Sequence, residues 1–324
     1  MLIKKTLLIS LLLTAFSPMA IAREFLSADV HGKDFPTSKA VSYMGDQLDK
    51  ATGGKYKIKV FSPSALGSEK DTVEQVKVGA LDMVRVSTAT FHSMVPESVI
   101  PAMPFLFRDI EHFRKTMYGP QGDKILAAFE KAGFIGLCLY EAGARSMYAQ
   151  KPIRNLADLK DLKIRVQPSD LMMGMVGALG AQAKPAAYAE VLGQLKGGVI
   201  DAAENNYPSF VESKHYQVSP VYSETMHSMT PEVVVFSKVV WDKLDKDTQA
   251  AIRKAAKDSV PFYVKQWEAK EKEARATLVN AGVQIVAARD IERKALVDSQ
   301  KPVWEKFARS ADQKALLREI TSVR

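Results

Sequence analysis

The chain has 324 residues, of which 47% are apolar and 25% are charged, as in an ordinary globular protein. Its 45 basic and 37 acidic residues give a formal net charge of +8, but the basic residues are scattered among acids, and no basic stripe carries interleaved aromatics. Nucleic acid is therefore not an expected partner. The single cysteine, Cys138, excludes an intrachain disulfide.

The N-terminus has the pattern of a cleaved signal peptide. Two lysines at positions 4 and 5 precede an apolar run over 7–16, and Ala20-Ile21-Ala22 fits a signal-peptidase site. Residues 1–22 are therefore predicted to be removed, which leaves 43 basic against 37 acidic residues. The apolar run is shorter than the roughly 20 residues that span a bilayer. No cysteine directly follows the cleavage site, so we expect a soluble exported protein without a lipid anchor.

The first predicted elements alternate between strand and helix. Apolar residues alternate with lysines over 55–61, which predicts a strand, and the helix before it ends at Gly53-Gly54. Ser68 and Asp71 have the spacing of a capping box, which predicts a helix from Ser68 to about Gly79. A further strand is expected over 81–86. Cys138 lies in an apolar run over 134–140, where we expect a buried strand residue rather than a nucleophile.

A similar order recurs downstream. Residues 57–60 (Lys-Ile-Lys-Val) are echoed by 163–166 (Lys-Ile-Arg-Val), and 75–82 are echoed by 194–201. The second copy is predicted to be longer by an insertion that holds another helix, roughly 169–180. Because a strand-helix-strand unit requires a parallel sheet covered by helices, two such units predict two similar α/β lobes.

The last third is predicted to be helical. Asp245 can cap a helix that continues to about Ala281, with Pro261 as the expected kink. At about 1.5 Å per residue this helix would be on the order of 50 Å long. Such a length exceeds one lobe, so the helix is expected to brace both.

The sequence has no motif typical of catalysis. The five histidines form no HExxH pair and have no cysteine partners at zinc spacing, and there is neither a G-x-S-x-G elbow nor a phosphate-binding loop. We therefore predict no catalytic residue, no metal site and no cofactor. Carboxylate pairs need no motif to perform acid-base chemistry, so an enzyme acting on acidic sugars stays open as the alternative.

Three polar residues are candidates for holding a ligand. Arg165 lies in the strand 163–167 and could project from its carboxyl end into an interlobe crevice, where its planar fork would bind a carboxylate. Asn205 lies where a presumed buried strand ends, and Arg85 lies between two valines of another strand. The alternative is surface decoration for Arg165 and turn formation for Asn205.

Three segments carry a resemblance to a known family. Residues 159–166 (Leu-Lys-Asp-Leu-Lys-Ile-Arg-Val), 199–205 (Val-Ile-Asp-Ala-Ala-Glu-Asn) and 65–69 (Ala-Leu-Gly-Ser-Glu) resemble the signatures of the solute-binding proteins of tripartite ATP-independent periplasmic (TRAP) transporters. The resemblance covers essentially the whole mature chain. It implies a periplasmic, two-lobed α/β binding protein that closes around an organic acid and delivers it to a membrane permease.

The same resemblance implies domain boundaries and site residues. Lobe I would comprise 23–144 plus about 230–268, and lobe II 145–229 plus about 269–324. Arg165 would anchor the substrate carboxylate, and the family position often held by an acid falls near Ser87 here. The residues implied to assist Arg165 or to line the cleft are Arg145, Asn205, Glu69 and Tyr188.

Finer similarity indicates the members that bind hexuronates such as glucuronate and galacturonate. Residues 27–31, 67–71, 82–85 and 204–208 resemble that subgroup, which makes His31, Arg85 and Tyr207 candidate hydroxyl contacts. Each has an alternative: His31 could cap the helix that begins near Pro36, Arg85 could pair with a neighbouring acid, and Tyr207 could belong to the core. A C4-dicarboxylate or another organic acid is the alternative ligand.

Overall fold

The computed structural model describes residues 22–324. The predicted signal peptide, 1–22, lies outside the described residues except for its last position. The described residues form two β-sheets flanked by helices, which is the α/β architecture expected from the sequence. No helix among residues 22–324 is both long and apolar enough to cross a membrane.

The first sheet has five strands in the order β2-β1-β3-β10-β4. Strand β1 is parallel to both β2 and β3, whereas β10 is antiparallel to β3 and β4. The strands of this sheet are β1 (Arg23–Ala28), β2 (Tyr56–Phe61), β3 (Met83–Ser87), β4 (Phe134–Tyr140) and β10 (Glu232–Ser237).

The second sheet has six strands in the order β11-β9-β5-β8-β6-β7. Strand β6 is parallel to both β7 and β8, and β5 is antiparallel to β8 and β9. The strands of this sheet are β5 (Arg145–Ala149), β6 (Lys163–Val166), β7 (Gln182–Pro185), β8 (Ala202–Asn205), β9 (Val221–Ser228) and β11 (Gln284–Val286).

Helices connect the strands and cover the sheets. They are α1 (Pro36–Ala51), α2 (Glu69–Lys77), α3 (Ile110–Met117), α4 (Pro120–Ala128), α5 (Leu156–Leu159), α6 (Asp170–Ala178), α7 (Val191–Lys196), α8 (Tyr207–Glu212), α9 (Lys238–Trp241), α10 (Lys246–Asn280), α11 (Arg293–Ser299), α12 (Lys301–Phe307) and α13 (Ala311–Ser322). Short 3₁₀ segments cover Thr88–Phe91, Pro96–Ala102, Phe129–Ala132, Tyr188–Glu190, His215–Gln217 and Ala288–Asp290.

The helix termini follow the predicted local chemistry. The Ser68 side chain accepts a hydrogen bond from the Asp71 amide, and Asp71 in turn accepts from the Ser68 amide, which confirms the capping box of α2. Helix α1 ends before Gly53, whose φ of 59° is the left-handed conformation that glycine adopts without strain. Asp245 caps α10 through the Thr248 amide.

The internal repeat is present, but its predicted alignment is wrong. In the first half the chain runs β1-α1-β2-α2-β3 with sheet order β2-β1-β3, and in the second half it runs β6-α6-β7-α7-β8 with order β7-β6-β8. Strand β6 therefore corresponds to β1 and not to β2, and α6 corresponds to α1 and is not an insertion. The correspondence between 75–82 and 194–201 is correct. Asp82 accepts a hydrogen bond from the amide of Leu26 in β1, and Asp201 accepts one from the amide of Lys163 in β6, each at 2.8 Å.

The two halves are joined by the segments 141–144 and 229–231 and by α10. Ile252 and Trp267 of α10 pack in the core of the first half, and Leu278 packs in the core of the second, so this helix braces both as expected. The first sheet holds the strands within 23–140 and 232–237, and the second holds those within 145–228 and 284–286; the lobe boundaries themselves stay a prediction. Helix α13, predicted with lobe II, instead contacts the first half: the Ile320 carbonyl accepts from His112 and Glu319 pairs with Lys124.

Candidate functional site

A cavity of about 1230 Å³ lies between the two sheets, at the carboxyl ends of β1, β3, β6 and β8. This edge is where ligands of open α/β sheets bind, because the helix termini and polar loops converge there. Most of the predicted site residues line the cavity, namely His31, Glu69, Arg145, Arg165, Tyr188 and Asn205. The two others, Arg85 and Tyr207, do not line it.

Arg165 is a buried guanidinium without a carboxylate partner among residues 22–324. Its side chain is on β6 and the residue is only 2% exposed. Nε and Nη2 both donate to the carbonyl of Ala186, at 3.0 and 2.6 Å, and Nη1 makes no hydrogen bond within the described chain. Burial lowers the pKa of Arg165 below its ordinary value. Surface decoration, the alternative for this residue, is therefore excluded.

Arg145 is buried to a similar extent but has a carboxylate partner. Its Nε and Nη2 donate to the two carboxylate oxygens of Glu204 at 2.6 and 2.8 Å, and its Nη1 donates to Oδ1 of Asn205 at 3.0 Å. Burial opposes ionisation of Glu204, but Arg145 and then His227 hold the pKa of this carboxyl down at about 2. The ion pair fixes Asn205 at the edge of the cleft.

Arg85 lies behind the cleft wall, among three acids. Its Nε donates to Asp29 at 3.0 Å, its Nη2 also contacts Asp29, and its Nη1 donates to Glu232 at 2.7 Å and to Glu69 at 3.5 Å. Burial alone would lower the pKa of Arg85, but Asp29 and Glu232 raise it well above its ordinary value. Arg85 is 1% exposed and does not line the cavity, so the structure favours its stated alternative, pairing with neighbouring acids, over contact with the ligand.

Glu69 begins α2 and faces the cleft. Its Oε1 accepts from the Ser87 amide at 3.1 Å, and its Oε2 accepts from Thr90 at 3.2 Å. Burial raises the pKa of Glu69, although Arg85 acts in the opposite direction. The Ser87 hydroxyl donates across the gap to Oε1 of Gln167 at 3.4 Å, so this position serves as a bridge between the halves rather than as an acid.

His31 and Tyr188 lie together at one side of the cleft. Glu212 of α8 accepts from the Gly32 amide at 2.8 Å and contacts Nδ1 of His31, which joins the two halves. The His31 ring stacks on Phe35 with a centroid separation of 3.8 Å and meets the Tyr188 ring at 5.1 Å. The N-cap of α1 is Phe35, so His31 does not cap this helix.

Tyr207 packs behind the second sheet rather than in the cleft. Its hydroxyl donates to Glu224 at 2.6 Å, and its ring stacks on Tyr222 with centroids 4.3 Å apart. The core alternative stated for Tyr207 describes this environment, and the predicted hydroxyl contact is not available from it. The chain passes from β8 into α8 here, with Asn206 as the N-cap of the helix, and Asn205 lines the cavity whereas Tyr207 does not.

The buried and partly buried charged groups of the opposite walls differ in their balance of charge. In the first half three carboxylates, those of Asp29, Glu69 and Glu232, surround the single guanidinium of Arg85. In the second half one carboxylate, that of Glu204, pairs with Arg145, and the guanidinium of Arg165 has no carboxylate partner among residues 22–324. The first wall therefore carries an excess of acceptors and the second an excess of positive charge. The other charged residues that line the cavity are exposed to solvent, which screens their charges, namely Lys70, Glu74, Lys77, Asp170, Glu190 and Arg309.

Sequence reasoning missed several residues of this cavity. Glu232 heads the apolar strand β10, Gln167 follows β6, and Glu212 ends α8; all but Glu212 line the cavity. Glu232 could have been recognised in the sequence as an acid that directly precedes an apolar run. Arg145 has the corresponding position at the start of β5. Residues 22–324 contain no cluster of three His, Cys, Asp or Glu side chains suited to a metal ion.

Comparison with known proteins identifies the same architecture. The family described as bacterial extracellular solute-binding protein, family 7 (DctP), matches residues 27–310. The 2,3-diketo-L-gulonate-binding periplasmic protein YiaO of Escherichia coli K12 is 30% identical over 315 residues, which cover 96% of this chain and 95% of that protein.

Two solved structures are similar over nearly the whole chain. A TRAP periplasmic solute-binding protein from Bradyrhizobium sp., in complex with D-galacturonate, is 50% identical with a TM-score of 0.91, covering 93% of this chain and 100% of that one. Another from Pseudomonas putida F1, with bound D-glucuronate, is 35% identical with a TM-score of 0.90, covering 93% and 98%. These likenesses confirm the predicted two-lobed fold.

Proposed function

Because the chain belongs to bacterial extracellular solute-binding protein family 7 and is a TRAP solute-binding protein, we propose that it captures a hexuronate such as D-glucuronate or D-galacturonate. The anchor is a pair between the ligand carboxylate and Arg165. Arg145 and Asn205 assist from β5 and β8, and Glu69, His31 and Tyr188 contact the remainder of the sugar. Arg85 does not contact the ligand, but its ion pairs fix the positions of the carboxylates in the first wall.

The observation that carries this proposal is the environment of Arg165. A buried guanidinium without a counter-ion is costly, and a carboxylate that docks on its free edge removes this cost. Each hydrogen bond that involves a charged group contributes roughly 1.5–3 kcal/mol, which is a large share of a micromolar affinity. Nη1 of Arg165 is the donor left for such a ligand.

The charge of the first wall favours a sugar acid over a dicarboxylate. The carboxylates of Glu69 and Glu232 accept hydrogen bonds from hydroxyl groups, whereas a second carboxylate brought to them would meet like charge. A hexuronate has one carboxylate for Arg165 and several hydroxyls for the opposite wall. The hexuronates bound to the Bradyrhizobium and Pseudomonas proteins support this choice.

The proposal includes export and delivery. Relatives of this chain are described as periplasmic binding proteins, and we place this one in the periplasm after removal of residues 1–22. It would hand the ligand to the TRAP membrane permease unchanged. Incubation of D-glucuronate with the protein, followed by chromatography, is expected to return the sugar intact; conversion to a product would favour the enzyme alternative.

Calorimetric titration of the mature protein tests ligand choice. We expect tight binding of D-glucuronate or D-galacturonate, weak binding of succinate, and none of uncharged D-glucose. Ligand at about 100 times its dissociation constant should also stabilise the fold by about 2.7 kcal/mol in a thermal unfolding assay. Preferred binding of succinate would replace the hexuronate by the C4-dicarboxylate alternative.

The variant Arg165→Ala tests the anchor. Its dissociation constant for the hexuronate should rise about 100-fold or more, because the charged hydrogen bonds are lost. Arg154→Ala is the matched control, since Arg154 is an exposed arginine of the same half and should bind like the wild type. An equal affinity of Arg165→Ala and Arg154→Ala would contradict the proposal.

A further inference from the structure

The two halves carry the same buried ion pair with its polarity reversed. Arg85 of β3 is three residues after Asp82, and Glu204 of β8 is three residues after Asp201, the two acids that hold β1 and β6 in the same way. Glu232 is the first residue of β10, two residues before Val234, which is paired with Arg85 in the sheet. Arg145 is the first residue of β5, two residues before Met147, which is paired with Glu204. Arg85 thus pairs with Glu232 where Glu204 pairs with Arg145.

Glu232 is therefore the positional counterpart of Arg145, on the opposite wall of the same cleft. Both residues line the cavity, and Glu232 is 8% exposed. Its Oε2 accepts from Nη1 of Arg85 at 2.7 Å. Its Oε1 accepts no hydrogen bond from residues 22–324. Because this oxygen is not a buried atom, it is open to the cleft.

Glu232 also shares its cation with Glu69. Nη1 of Arg85 contacts both carboxylates, Glu232 at 2.7 Å and Glu69 at 3.5 Å, while Nε and Nη2 of Arg85 are directed to Asp29. One guanidinium cannot neutralise three carboxylates. The excess negative charge is thus concentrated at the two acids that face the ligand.

We propose that Glu232 is a specificity-determining residue, whose free carboxylate oxygen accepts a hydroxyl of the sugar acid and repels ligands with a second carboxylate at that end. This inference rests on the proposed function and adds to it a residue and a chemical rule. The ligand class is a polyhydroxylated monocarboxylate, oriented with its acid on the second half and its hydroxyls on the first. Repulsion by a fixed like charge is an effective way to discriminate against a competing ligand.

Sugar acids that differ only in their terminal group test this rule. D-Gluconate and D-glucarate share an open six-carbon chain, and D-glucarate has a carboxylate where D-gluconate has a hydroxymethyl group. Titration with D-glucuronate, followed by displacement with each of these acids, gives three dissociation constants for the wild type and for Glu232→Gln. Glu74→Gln is the matched control, because Glu74 is an exposed acid of α2 at the rim of the same cavity.

In the wild type, D-glucarate should bind at least about tenfold more weakly than D-glucuronate. Glu232→Gln should lower the ratio of the dissociation constants of D-glucarate and D-glucuronate about tenfold, because D-glucuronate binds more weakly and D-glucarate binds more tightly. The ratio of the dissociation constants of D-glucarate and D-gluconate should fall as well. Glu74→Gln should leave both ratios at the wild-type values. Unchanged ratios in Glu232→Gln would show that Glu232 only anchors Arg85 and would overturn the inference.

Glu232→Asp keeps the charge and shortens the side chain. It should still reject D-glucarate while binding D-glucuronate more weakly, and loss of the rejection in a folded Glu232→Asp protein would also overturn the inference. This variant decides the question if Glu232→Gln does not fold, as judged by circular dichroism. A wild-type protein that binds no hexuronate at all would instead refute the proposed function, and the inference with it.

Discussion

Arg145 and Arg165 are two buried arginines of the same half with opposite environments. Arg145 is 3% exposed and is neutralised by both oxygens of Glu204, whereas Arg165 is 2% exposed and meets only a backbone carbonyl. In the first half the residue that corresponds to Arg165 is Ala28, which is placed against Val84 as Arg165 is placed against Ala203. The repeated fold therefore does not require an arginine there.

The difference between these two environments distinguishes an arginine with a structural role from one proposed to bind the ligand. An arginine that the fold needs is one whose charge is balanced inside the protein, because an unbalanced charge destabilises the folded state. Under the proposed function, an arginine that the fold does not balance is held for the carboxylate of the ligand. Three measurements can break or sharpen this contrast between Arg145 and Arg165.

Arg145→Met should have the largest effect. It leaves the carboxylate of Glu204 buried without its main partner, so the free energy of unfolding should fall by about 3–5 kcal/mol. Urea titration of the ligand-free protein measures this change. A loss below about 1 kcal/mol would mean that the pair contributes little and that Arg145 resembles Arg165 after all.

The Glu204 pair should also make stability depend on pH. The folded pKa of about 2 lies below the ordinary value of 4.5, so its contribution is complete above about pH 4.5 and is lost as the pH falls towards 2. A shift of this size corresponds to about 3 kcal/mol.

The matched comparison for that prediction is the double variant Arg145→Met/Glu204→Gln. The difference in unfolding free energy between wild type and double variant should shrink as the pH falls from 5 to 2. Asp29, whose pKa is also lowered despite burial because of Arg85, titrates in both proteins and cancels from the difference. A difference that does not change with pH would contradict the assigned pair.

Arg165→Met should have the smallest effect on the ligand-free protein. The substitution removes a buried charge without a counter-ion and keeps much of the side-chain volume, so the free energy of unfolding should stay within about 1 kcal/mol of the wild type or rise. Thermal unfolding in the absence and presence of D-glucuronate measures both states. A destabilisation as large as that of Arg145→Met would mean that Arg165 is structural.

Local patterns predicted much of the fold. The capping box at Ser68, the strand over 134–140 and the long helix after Asp245 each depend on residues close together in the sequence, and each is present. The echo between 57–60 and 163–166 was misleading, because two strands of similar composition can occupy different places in a sheet. Only the order of strands in the sheets shows that β6 corresponds to β1.

The site was predicted less completely than the fold. Arg165 could be selected from the sequence because an arginine at the carboxyl end of a strand lies where α/β sheets bind ligands. Arg85 could not be separated from Arg165 in this way, since both are arginines in apolar strands. What distinguishes them is the presence of Asp29, Glu69 and Glu232, which come from three separate segments of the chain.

The sequence by itself determined several of the helices and strands, the presence of a repeat and the selection of Arg165 as the candidate anchor, because these depend on local spacing and residue chemistry. The tertiary structure decided which charged groups are neutralised and which, like Arg165, remain without a counter-ion. That decision depends on contacts between residues as far apart as Arg85 and Glu232, 147 positions in the chain, and such pairs form only when the sheets assemble.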